Sequence, residues 1–355
     1  NNENDVSLDW GGAQSHMDPN TDVISRQVLP LAVREWDPET PYLPSSPFIS
    51  EEVFKIHNRI SQDLSPEMHL WGPRGFYKAP FYTENNAKFV SEIGYHGAPN
   101  VESIKKMMTP ENVYPWKKGT KVSQEDVVTV IGEVKKAETL VWNEEWQAKA
   151  TMSSPNAYTN KERNFLMVNQ IREVFGECPT ELEDFVTASQ IVQAEAKKYF
   201  IEFWRMNKGE RNGILWWNLR DGWPIVSDAI IDYYGGKKLA FKYIKNVQTD
   251  VCVMIGDIRE GNTGHPVVLV NDTRNNQKVE INIKDKDSGR TLLSKIVEVD
   301  ANGILKVEEL PKVNSNELWL IEYKVDGKTY NNHYVSYSPP MKFEIYKAWL
   351  TELRR

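Results

Sequence analysis

The chain has 355 residues, 40% of them hydrophobic and 26% charged, and a formal net charge of −7 at pH 7. That length supports a well-buried core and more than one domain, and the composition is that of an ordinary globular protein. The acidic balance and the lack of any basic block exclude nucleic acid and an anionic membrane surface as expected partners, and no apolar run reaches membrane-spanning length.

Asn1 to Asp9 is polar, and Gly11-Gly12 and His16 to Asn20 read as loop. Val23 to Trp36 carries apolar residues at helical spacing, with Pro30 expected to break or kink the helix. Tyr42 to Pro47 is extended, hemmed in by prolines. Met68 to Trp71 is a short apolar run. Phe89 and Val90 are strand formers, so a short buried strand should end near Ser91, with Glu92 at its mouth. Gly94 and Gly97 then relax the backbone into a turn. A carboxylate in that position is costly unless it has partners or a task.

Glu102 to Met108 should be helical. Thr109 to about Asn160 is mixed, with helical character from Gln124 to Trp146. Pro179 to Glu183 offers a capping box, with Thr180 as cap and Glu183 three residues on, ahead of a long amphipathic helix from Phe185 to Met206. Gly213 to Leu219 reads as the next buried strand. On it Trp217 should face away from Trp216 and into helix packing. Leu239 to Val247 is a further helix. This alternation of strand and helix indicates a parallel β/α architecture.

Near Gln248 the texture changes. Short runs lie at 251–255, 267–270, 278–283, 292–299, 304–307, 318–323 and 333–337, several of them alternating with period two. Turn signals such as Asn302-Gly303 and Asp326-Gly327 separate them, as in a β-sandwich of about seven strands. Phe343 to Leu353 should form a terminal helix. The expected division is residues 1–247 and 248–355.

Cys178 and Cys252 lack metal or redox spacing and lie in different regions, so a disulfide between them is not expected. The six histidines show no zinc spacing, and no phosphate loop or nucleophile elbow is present. Twelve Trp, fifteen Tyr and twelve Phe suit a sugar-stacking cleft and a large core equally.

Four stretches in order carry a resemblance. Asn1-Asn2-Glu3-Asn4 resembles the tail of a Gly-Asn-Asn-Glu-Asn acid/base motif. Asp37-Pro38-Glu39-Thr40-Pro41-Tyr42-Leu43-Pro44-Ser45-Ser46-Pro47 resembles a proline-rich run, and Phe89 to Gly94 resembles a nucleophile segment, with Ile93 replacing the usual aromatic. Trp216 to Leu219, Trp223-Pro224 and Ile231 to Gly235 resemble a last barrel strand and its helix. Together they resemble family 2 glycoside hydrolases, and β-mannosidases in particular.

The resemblance implies the C-terminal half of a TIM (β/α)8 barrel followed by an immunoglobulin-like β-sandwich. It implies a retaining exo-β-glycosidase acting on terminal β-mannosides, with Glu3 as acid/base and Glu92 as nucleophile. Asn2 would contact the sugar 2-OH, Trp71 and Trp216 would wall the subsite, Tyr82 would position Glu92, and His69 would touch a hydroxyl. Core packing competes as the reading of these last four, and a frayed terminus as that of Glu3. A β-galactosidase, an exo-β-glucosaminidase or a non-catalytic carbohydrate-binding protein stay as alternatives. No cofactor or metal is expected, and the partner is a β-linked glycoside. Half a barrel leaves open sheet edges. The chain is therefore expected to have little turnover alone, its edges covered by a missing N-terminal part or a second copy. A periplasmic or secreted setting is expected rather than a cytoplasmic one.

Overall fold

The structure, a computed structural model, describes residues 2–6, 18–57, 66–71, 75–116, 129–130, 133–134, 143–150, 157–259 and 261–354. Among these the helices are α1 (Leu29–Trp36), α2 (Glu51–His57), α3 (Pro80–Thr83), α4 (Val101–Met107), α5 (Glu144–Ala148), α6 (Ala157–Phe175), α7 (Leu182–Met206), α8 (Leu239–Val247) and α9 (Phe343–Leu353). The strands are β1 (Glu67–Leu70), β2 (Phe89–Gly94), β3 (Thr129–Val130), β4 (Glu133–Val134), β5 (Gly213–Trp217), β6 (Val251–Ile255), β7 (His265–Asn271), β8 (Gln277–Asp285), β9 (Thr291–Val299), β10 (Ile304–Leu310), β11 (Glu317–Val325) and β12 (Lys328–Ser336). The chain divides into two compact units, each discontinuous in sequence.

The first unit comprises Asn1–Trp71, Pro80–Gly94 and Gly209–Trp216. Its sheet has the order β1-β2-β5, with β1 and β2 parallel. Their register slips by one residue between Met68 and His69, which sets His69 directly opposite Glu92. A bulge of this kind re-aims a side chain, here towards the mouth of β2. The strand runs to Gly94, three residues past the end expected at Ser91.

Pro30 lies in the first turn of α1, where a missing N–H costs nothing, so the break falls between α1 and the π-helical turn Ile24–Val28 before it. The apolar stripe of this segment is not buried: Ile24, Leu31 and Trp36 are all exposed. β5 is likewise a correction to the buried strand expected there. It ends at Trp217, and Leu215 and Trp217 on one side of it are exposed. Trp217, expected to face helix packing, is 41% exposed.

The second unit comprises Gly72–Ala79, Tyr95–Lys208 and Trp217–Arg355. Two antiparallel sheets, of order β10-β7-β6 and β12-β11-β8-β9, form a β-sandwich. Their alternate residues share one core, with Val253 and Leu269 from the first sheet and Ile281, Ile283, Ile321 and Tyr323 from the second. Each of the seven expected runs falls on a strand here, several extended by a residue or more, and the last stops at Ser336, one residue short of the expected end.

Helix α7 is buried on nearly every side, which corrects the one-sided stripe expected of it. Its charged residues are paired inside. Lys198 meets Glu202 at 2.6 Å, and Lys197 donates to the carbonyl of Trp217. The expected capping box is absent: the N-cap is Glu181, without a side-chain bond, and not Thr180. Helix α6 had no sequence expectation. Of the helix expected over 124–146, residues 129–130 and 133–134 form antiparallel strands, Asn143 caps α5, which begins at Glu144, and the rest lies outside the described residues. Both cysteines are free and buried, and burial pushes the Cys252 thiol up to about 11.

Candidate active site

The site lies within the first unit and is built by a short bridge to the proline-rich segment. Asn2 pairs with Ser46 in an isolated parallel bridge, and Glu3 N donates to the Ser46 carbonyl at 2.7 Å. Asp5 anchors the same segment from the inside. It is fully buried, its Oδ2 accepts from Arg26 at 2.8 Å and from Ile49 N at 2.9 Å, and its own N–H donates to Ser45 Oγ at 2.9 Å. Residues 2–6 are therefore held at several points and not frayed. Glu3 adopts φ 51°, the left-handed region that non-glycine residues enter at a cost of about 1–3 kcal/mol. The backbone bond to Ser46 holds it there.

Three side chains then converge. His69 Nδ1 lies 2.8 Å from Glu3 Oε1 and 3.5 Å from Glu92 Oε2. The three groups place one ligand-type atom each within 4.8 Å of one another. A single proton between Glu3 and His69 satisfies the closer contact in either placement. Ser46 Oγ donates to Glu67 and sits 3.3 Å from His69 Nε2, fixing the far edge of the ring. Trp71 Nε1 donates to Glu92 Oε2 at 2.8 Å.

Burial raises the pKa of Glu92. The charge of His69 and the Trp71 bond oppose that rise, and the charge of Glu3 adds to it. Glu3, His69 and Glu92 are also the one group among the described residues that could hold a metal ion. Spacing rules for histidines could not find it, because its members come from three separate segments. Both carboxylates approach the same ring nitrogen, Nδ1 of His69.

The remaining expected residues fall as follows. Asn2 is exposed beside Ser46. Tyr82 is buried on α3, its ring edge-on to Phe81. Trp216 is half-buried on β5. The sequence reading missed Ser46, Glu67 and Asp5. The signal available was the pair of serines held between prolines in a segment already singled out.

No family profile matches the chain. Sequence comparison finds β-mannosidase B of Aspergillus terreus, 24% identical over 342 residues, spanning 86% of this chain and 34% of that protein. β-Mannosidase B of Aspergillus clavatus is 26% identical over 237 residues, 65% of this chain and 23% of that protein. Among solved structures, β-D-mannosidase from Dictyoglomus thermophilum superposes with a TM-score of 0.68 at 24% identity, covering 95% of this chain and 37% of that one.

The chain is similar in sequence to proteins named β-mannosidase B and shares its fold with a β-D-mannosidase. An exo-chitosanase of Amycolatopsis orientalis shares the fold more distantly, with a TM-score of 0.57 at 18% identity over 87% of this chain. This β-mannosidase-like chain spans about a third of the length of its first relative, 34%.

Proposed function

We propose that Glu3 and Glu92 are the acid/base and nucleophile of a retaining exo-β-glycosidase that removes terminal β-mannosyl groups. The observation that carries this reading is the approach of their carboxylate oxygens to within 4.8 Å. Retaining glycosidases hold their carboxyls about 5–5.5 Å apart, whereas inverting ones leave about 6.5–9.5 Å for a water. In the first step the Glu92 carboxylate attacks the anomeric carbon while Glu3 gives its proton to the departing glycosidic oxygen. In the second, Glu3 takes a proton from water as that water displaces the sugar from Glu92.

The pKa direction at Glu92 runs against this division of roles, since burial raises the carboxyl that must attack as an anion. Trp71 and His69 supply the opposing stabilisation of the anion, and the substrate's own oxocarbenium-like charge favours it further. Asn2, Trp71 and Trp216 are proposed to line the sugar subsite, with His69 sharing the Glu3 proton. The names of the relatives support mannose as the sugar. The exo-chitosanase neighbour makes a β-glucosaminide the nearest competitor.

The reading extends to architecture. The sheet β1-β2-β5 is proposed to be part of a (β/α)8 barrel, spanning residues 1–247 with the sandwich after it. Exposure of Ile24, Leu31, Trp36 and Leu215 supports further structure covering these faces in the working enzyme. Little turnover is accordingly expected from this chain alone.

The test uses the full-length product of the gene. Hydrolysis of 4-nitrophenyl β-mannoside should exceed that of the β-galactoside and β-glucosaminide. A 2-fluoro-mannosyl fluoride should label Glu92 covalently, located by peptide mass spectrometry. Label on Glu3, or preference for another sugar, would overturn the assignment.

A further inference from the structure

We propose that a cavity over the outer face of the four-stranded sheet binds a small neutral saccharide, using none of the residues of the Glu3–His69–Glu92 centre. The cavity measures about 290 Å³, at the small end of ligand sites. Strand register builds its floor. β11 lies between β8 and β12, so Leu320 pairs with Lys284 on one side and His333 on the other. Two residues along, Glu322 pairs with Asn282 and Asn331. Ile281, Ile283, Ile321 and Tyr323 belong to the sandwich core, so the period of two turns their neighbours to the opposite face. Helix α8 adds Lys242 and Asn246 to the walls, and α9 adds Glu352.

The chemistry of the lining selects the ligand class. Two lysines stand with two glutamates, so neither sign of ligand charge is favoured. Among the described residues no Phe, Tyr or Trp lines the cavity, and a flat apolar ligand would find no matching wall there. The amides of Asn246, Asn282 and Asn331 each offer both donors and an acceptor, which is what a ring of hydroxyl groups requires.

The edge of the floor is fixed from beneath. Asn332 Nδ2 donates to Glu202 at 2.7 Å and to the Val253 carbonyl at 3.0 Å, and His333 Nε2 lies 2.7 Å from Glu195. A rigid floor of this kind loses little freedom when a ligand settles on it.

The test is NMR titration of the isotope-labelled chain with D-mannose, D-glucose and β-1,4-mannobiose, with sodium glucuronate and glucosamine as charged comparators. Saturable shifts are expected at Asn282, Leu320 and Asn331 for at least one neutral sugar. Asn282→Leu should weaken that binding roughly fivefold to tenfold, the effect of one lost hydrogen bond. Lys284→Met, at an exposed position of the floor, is a second variant whose folding is not at risk. The proposal fails if no neutral sugar gives saturable shifts up to about 0.1 M, a hundredfold above a millimolar Kd. It fails equally if both variants bind as the parent does, or if the charged sugars bind better. Glu92→Gln should leave these shifts in place, so loss of hydrolysis and loss of this site are separate results.

Discussion

Trp71→Phe removes from Glu92 the hydrogen bond that Trp71 Nε1 donates to Oε2 at 2.8 Å, while keeping an aromatic ring in place. Burial raises the Glu92 pKa, and this bond is one of the two influences that oppose it, the charge of His69 being the other. Glu92 is only 7% exposed, so water replaces little of what the indole N–H supplied. A hydrogen bond to a charged group contributes about 1.5–3 kcal/mol. The Glu92 anion should lose stabilisation of that size in the variant, so its pKa should rise further. The assay is ¹³C NMR titration of chain labelled at its glutamate carboxyls. Glu92→Gln identifies the resonance by deleting it. A Glu92 pKa that stays where it was, or falls, would refute the account of how this carboxyl is held.

Three further outcomes are expected. Because the folded chain holds Glu92 above its ordinary value of 4.5, that group favours folding below this pH and ceases to as pH rises through the raised value. Glu92→Gln should therefore melt higher than the parent at pH 7, with the gap closing near pH 4, as calorimetry can read. Burial would raise Glu195, but His333, Lys198 and Tyr346 hold it down at about 2. Its contribution is present above about pH 4.5 and is lost as pH falls from there towards about 2. At neutral pH, Glu195→Gln should cost about 1.5–3 kcal/mol in denaturant melts, because a neutral amide replaces the charged acceptor that His333 and Tyr346 share. Lys78 Nζ lies 2.7 Å from Asp257 and between 5.0 and 6.0 Å from the ring centres of Tyr77, Tyr199, Tyr334 and Tyr337. Lys78→Met should lower stability by about 1–2 kcal/mol, and Lys78→Arg should recover most of it; equal loss in both variants would point to packing instead of charge.

What could be read along the chain followed from local rules. Alternation along β8, where Val279, Ile281 and Ile283 are buried between exposed Lys278, Glu280 and Lys284, needs no knowledge of distant residues. Helices α8 and α9 begin and end where their apolar spacing does. The segments bearing Glu3 and Glu92 were visible through their resemblance to a known family. Local rules failed where neighbours from elsewhere decide the outcome. The stripe of α7 gave no sign that its lysines and glutamates would be buried, because their partners Trp217 and Asn332 are remote in sequence.

The amino-acid order by itself determined the sandwich strands, the last two helices and the two carboxylates to watch, since period and motif are properties of short stretches. Only the folded chain decided that His69 lies between those carboxylates. That arrangement depends on a one-residue slip between β1 and β2, and on a left-handed Glu3 tied to Ser46. Neither feature is a preference of the residues concerned. Both follow from hydrogen bonds made across long loops, and such bonds exist only once the chain has closed upon itself.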